Sequence, residues 1–162
     1  MSLTAAPVAQ AASRFTAIEA RIEALATGPV AAGMTASHAA AELLRLGEEV
    51  MEIWIAARGQ TPTHETREGF RLLALHRQGA KGEPSFNACR ETCRELVYHY
   101  NLIAAVSSPG VDRTPDVVAT AQPLRLMALV AKHICLFVEG KMQVDGLGEF
   151  CCAAKPVRAN GQ

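Results

Sequence analysis

Aromatic side chains are scarce in this 162-residue chain: Phe, Trp and Tyr make up 5% of it, while hydrophobic residues of all types reach 49%. The apolar content is carried mainly by Ala, Leu and Val, which suit packed helices better than strands, so the composition favours an all-α fold. Net charge is missing as well. Sixteen basic residues balance sixteen acidic ones, so no whole-molecule field steers the protein to nucleic acid or an anionic membrane, and neither is expected as a partner. No run reaches the roughly 18 apolar residues of a membrane span. The nearest, "LMALVAKHICLFV" at 126–138, is broken by Lys132 and His133. The amino-terminal "MSLTAAPVAQAASRF" has neither the basic start nor the continuous apolar stretch of a secretion signal. Without that context, five cysteines, an odd number, read as the reduced thiols of a cytoplasmic protein and not as a disulfide framework.

Catalytic signatures are absent too. The chain contains no Gly-rich phosphate loop, no G-x-S-x-G elbow, no H-E-x-x-H, no dinucleotide fingerprint and no C-x-x-C. No catalytic residue is nominated, no cofactor is implied, and the reading leans away from an enzyme. The "GVDRTPD" segment, 110–116, holds two aspartates and an arginine, but turn and cap chemistry accounts for Asp112, Thr114 and Asp116 without a substrate.

What is present is punctuation. It divides one domain, 1–162, into about five helices, at 7–27, 36–58, 62–78, 84–106 and 115–143, with an irregular tail at 144–162. The first carries Phe15, Ile18, Ile22 and Leu25 at three- and four-residue steps, one apolar stripe. In the second, with Thr35 or Ser37 as N-cap, Leu43, Leu46, Val50, Ile53, Trp54 and Ala57 fall opposite His38, Glu42, Arg45, Glu49 and Glu52. Thr61 and Pro62 form a cap-then-proline start for the third, and Pro84 starts the fourth. Pro123 is expected to kink or restart the fifth. Short connections make this a compact antiparallel bundle. In the fifth helix the polar residues Arg125, Lys132 and Glu139 form a thin seam spaced by seven, leaving nearly every other direction apolar. Such a helix is central in its bundle or shared with a second subunit. The stretch 122–143 is therefore the expected interface of a homodimer.

The candidate chemistry gathers around "FNACRETCRELVYHYN", 86–101. Read as a helix, it puts Phe86, Cys89, Cys93, Leu96, Tyr100 and Ile103 on one face and Glu91, Glu95 and His99 on another. Cys89 and Cys93, one turn apart, have the spacing to share a soft metal ion, and His133 is the third candidate ligand, with Cys135 as the substitute. His133 and Cys135 point about 200° apart on their helix, so only one of them can serve. The competing reading makes both cysteines small core residues, and it is preferred. His133, among Leu126, Leu129, Leu136 and Phe137, reads as a core or interface histidine, or less favourably as a ligand or base in a pocket. The i, i+4 pairs His38–Glu42, His64–Glu68 and Glu95–His99 lack the Glu-x-x-His spacing of di-iron bundles and are expected to be solvated. Vicinal Cys151 and Cys152 are soft-metal or oxidant-sensitive candidates with only Lys155 nearby to activate them. From Arg58 to Arg94 the basic residues are interleaved with Glu65, Glu68, Glu83, Glu91 and Glu95, an ion-paired surface in expectation. The function that follows is a non-enzymatic interaction or regulatory bundle; the alternative is a small-molecule, metal or thiol-redox bundle on Cys89, Cys93 and His133 or Cys135.

Overall fold

The computed structural model describes residues 5–28, 33–106 and 117–146. They form α1 (Ala5–Thr27), α2 (Ala36–Ala57), α3 (Arg71–Ala80), a 3-10 helix (Pro84–Cys89) running straight into α4 (Arg90–Val106), and α5 (Val117–Val144). Among the described residues there is no strand, only an isolated antiparallel bridge between Arg67 and Phe70. The expected all-α bundle is what is found. Ion pairs give the helix directions: Arg14 meets Glu49 and Arg21 meets Glu42, so α1 and α2 run antiparallel. Helix α5 is the hub, packed against α2, α4 and α1.

The apolar stripes of α1 and α2 are buried where expected except at Ala57, which is exposed at the end of α2. Phe15, Ile18, Ile22 and Leu25 of α1 meet Leu43, Leu46, Val50, Ile53 and Trp54 of α2 in one continuous core. Thr35 is the N-cap of α2, its Oγ1 accepting the His38 N–H at 3.1 Å. Trp54 stacks on Phe86 with centroids 4.7 Å apart and planes 7° from parallel, and its indole N–H donates to the Gly79 carbonyl at 3.0 Å. Arg58 also donates to that carbonyl, at 3.1 Å, while its guanidinium lies over the Trp54 ring.

Three expectations are corrected. The predicted helix over 62–78 forms only from Arg71. Residues 62–70, "PTHETREGF", offer a helix no apolar stripe, and Gly69 sits at φ 85°. Side chains fasten this stretch instead: the Gln78 amide donates to the Thr61 carbonyl and accepts the Thr63 N–H, both at 2.8 Å, and Arg71 Nε donates to the Thr63 carbonyl at 2.9 Å. The predicted helix from Pro84 begins as a 3-10 turn and becomes α-helical at Arg90. Of the kink or restart expected at Pro123, the restart does not occur: the last helix is continuous from Val117 to Val144. The tail is shorter than expected at its start, and 147–162, including Cys151 and Cys152, lies outside the described residues, as does the "GVDRTPD" segment.

Two close approaches require glycine. A Cβ on Gly79 would stand 2.9 Å from Trp54 Cδ1 and 3.1 Å from Phe86 Cε1, and one on Gly47 would stand 2.9 Å from Leu96 Cδ2. Replacing Gly79 by Ala should therefore force the Trp54–Phe86 stack apart and lower stability by about 1–3 kcal/mol, the usual cost of overpacking. Chemical denaturation followed by Trp fluorescence measures this, and an unchanged midpoint would show that the stack yields freely.

Candidate functional site

The candidate thiols do what the apolar face required. Cys89 and Cys93 are 2% and 0% exposed, free, and part of the core. Their partner is a residue the sequence reading passed over: His76 on α3, itself 5% exposed. Its ring lies against Phe86 at 5.5 Å, continuing the stack begun by Trp54. The Phe86 carbonyl accepts from His76 Nε2 at 3.2 Å and from the Cys89 thiol at 3.3 Å. A carbonyl cannot donate, so Nε2 carries the imidazole proton. Hydrogen bonding from Cys93, and then the nearby His76, hold the Cys89 thiol below its ordinary value against the opposing effect of burial. The same contact and burial push Cys93 well up. The pair thus favours one thiolate, on Cys89, and resists a second.

His133 does not join them. It is exposed, whereas Cys135 is buried on the core face of α5. Among the described residues, no three His, Cys, Asp or Glu side chains gather where they would hold a metal ion. The proposed set Cys89, Cys93 and His133 is therefore not brought together, and Cys135 does not complete it. Helix geometry explains the separation, since positions 133 and 135 take opposite sides of one helix.

The other paired residues resolve individually. Glu42 bonds Arg45, which lowers its pKa, and also meets Arg21. His64 and Glu68 lie outside any helix, and Glu68 instead receives Arg94 at 2.9 Å. His99 corrects the expectation of a solvated pair: it is nearly buried, 3.8 Å from the exposed Glu95, and its Nδ1 has no partner among the described residues.

The Arg58–Arg94 segment is also corrected, because its charges are only partly paired. Arg71 bridges to Glu48 and Glu52. Arg67, Arg77, Lys81, Arg90 and Arg94, by contrast, converge on a cavity of about 520 Å³. His76 and Asn87 also face it, and Leu73 and Ala80 give it an apolar wall. Leu73, His76, Arg77 and Ala80 share one face of α3, but helical spacing alone does not join them to the turn at Arg67, to Asn87 of the 3-10 helix or to Arg90 and Arg94 of α4.

Helix α5 shows a second apolar face. Leu126, Leu129 and Leu136 are 44%, 50% and 46% exposed, and His133 stands among them. Helix α4 adds a shorter exposed row of Tyr98, Leu102 and Val106. Residues Ala121–Val144 are long and apolar enough to cross a membrane by length and hydropathy, with 44% of that window buried inside the bundle. Comparison of the chain with protein-family models, curated proteins and solved structures found no match.

One pH effect follows from the buried thiol of α5. Burial, then the nearby Glu19 and Glu139, push Cys135 from 9.0 up to about 12. A thiol raised in the folded state contributes stability that is complete below its unfolded value and is lost as pH rises toward the folded one. From pH 9.0 toward 12, stability should fall by up to about 1.4 kcal/mol per pH unit through this group. Denaturation curves of the wild type and Cys135→Ala across that range should differ in slope; parallel curves would show that the thiol ionises freely.

Proposed function

We infer that this protein is a non-enzymatic interaction bundle whose first partner is a second copy of itself, docked through α5. The observation that carries this reading is the apolar stripe Leu126, Leu129, His133 and Leu136. Its alternating steps of three and four match a coiled-coil seam, which is narrower than the face a helix uses to enter a core. A seam of that kind is complementary to another helix bearing the same seam.

Charge supports a second copy as the occupant. Arg125, Lys132 and Glu139 flank the stripe at seven-residue intervals, where coiled coils place the charges that fix partner and orientation. Lys132 is satisfied within the chain by Glu23 at 2.7 Å. Arg125 and Glu139 have no ion pair among the described residues, and burial followed by Glu19 raises the Glu139 pKa. They stand equally far in sequence on either side of Lys132. An antiparallel two-fold pairing centred there sets each Arg125 against the partner's Glu139.

A cytoplasmic setting belongs to the same reading, since Cys89, Cys93 and Cys135 are free thiols, the state a reducing compartment maintains. The metal or thiol-redox alternative has less support, because His133 stands on the outer face of α5 and the cysteine pair is sealed in the core.

Sedimentation at about micromolar concentration should show a dimer, and Leu129→Glu should weaken it by more than tenfold, about 1.4 kcal/mol. Arg125→Glu and Glu139→Arg should each weaken it, and together they should restore it. A monomer at every concentration, or single charge variants that leave assembly intact, would overturn the pairing.

A further inference from the structure

Among the described residues, most cations outside the basic cavity have carboxylate partners. Arg14, Arg21, Arg45, Arg71, Lys132 and Lys141 each lie within ion-pair distance of a glutamate. The cavity beside α3 breaks that pattern. Of its five cations, Arg94 alone has an ion pair, with Glu68. The side chains of Arg67, Arg77, Lys81 and Arg90 have no ion pair and no hydrogen bond among the described residues. No carboxylate is among the residues that line the cavity. Like charges gathered in a concavity repel one another and concentrate a positive potential there, and a bound anion relieves both effects.

The rim is built at a conformational cost. Arg67 is delivered by a tight turn in which Glu68 adopts φ 54°, a left-handed conformation uncommon for a residue with a side chain. Two bonds at 3.0 Å between the Arg67 and Phe70 backbones close the turn, and Phe70 anchors it edge-on to Tyr100 of α4 at 5.8 Å. Such strain persists where the surrounding structure over-determines it, often at ligand sites.

We propose that this cavity binds a compact anion carrying two or more phosphate groups. One phosphate monoester brings a charge of about −2 at neutral pH, too little for the uncompensated cations present. Guanidinium forks match phosphate oxygens in pairs, which suits a site built from four arginines and a lysine. The Asn87 amide adds a directional contact, and the Leu73 and Ala80 wall accommodates a small organic portion of the ligand. The volume of about 520 Å³ falls in the range of small-molecule sites. No Phe, Tyr or Trp lines the cavity, and the one ring that does, His76, is already stacked on Phe86, so the cavity lacks the row of aromatic platforms with which single-stranded nucleic acid is held. This site lies apart from the α5 seam and does not depend on dimerisation.

Calorimetric titration of the whole chain at low salt tests the proposal, with pyrophosphate as the probe and orthophosphate and a short RNA oligomer as comparisons. Pyrophosphate should bind once per chain and about tenfold or more tightly than orthophosphate. Arg77→Ala and Arg90→Ala should each weaken it by about tenfold or more, while Arg45→Ala, remote on α2, should leave it unchanged. Arg77 and Arg90 are both exposed, so the variants should keep the helical circular dichroism of the wild type; Lys81→Ala replaces either one that does not. Absence of pyrophosphate binding, equal binding of orthophosphate, or indifference to the cavity substitutions would overturn the proposal. Tighter binding of RNA through the same arginines would do so too, by making the cavity part of a polynucleotide surface.

Discussion

The stack of Trp54 on Phe86 holds the rest of the molecule in place. It joins α2 to the 3-10 helix, and through the Gly79 carbonyl it fixes the end of α3. Phe86 then passes the contact on to His76 of α3 and Phe137 of α5. Four elements therefore meet around one aromatic pair in a chain with few aromatics. Large rings bury much apolar surface at low side-chain entropy cost, which makes a single pair an economical junction. The chemistry follows from it: the Phe86 carbonyl that orients His76 and Cys89 belongs to the ring that Trp54 clamps, and His76 turns another part of itself toward the basic cavity.

Helix α5 has a different burden. Its inner face completes the core through Met127, Ala131, Ile134, Cys135 and Val138, yet its outer face is nearly as apolar. An outer face of that kind gains nothing from water, and folding of the bundle does not call for its leucines. The molecule thus carries its two unfinished features apart from each other, an uncovered apolar seam on α5 and uncompensated positive charge beside α3.

Much of the fold was legible because helical stripes are a property of local spacing. Phe15 through Leu25, Leu43 through Trp54, and Phe86 through Ile103 could each be placed from their own sequence, and all of these faces are buried save for Tyr100, which is partly so. Thr61–Pro62 misled because a cap and a proline mark where a helix can begin, while residues 62–70 offer nothing for one to bury. Pro123 misled in part, since the helix runs on through it into the core face that begins at Leu124. The cavity was not legible at all. Arg67 joins Arg77 and Arg90 at the cavity through the turn at Glu68, which rests on tertiary contacts. His76 escaped notice because one histidine on a short helix has no pattern to betray it, and His99 because its burial is set by its neighbours and not by its own period.

The stretch leading to the cavity rim has no helix to hold it. The Gln78 amide ties it at Thr61 and Thr63, and the Arg71 guanidinium ties it again at the Thr63 carbonyl. Order in this part of the chain is consequently lodged in two side chains. Helix content and a well-formed cavity are separable here: the bundle can remain fully wound while the cationic recess loses a wall, and a measure of how much of the chain is coiled says little about whether that recess is intact.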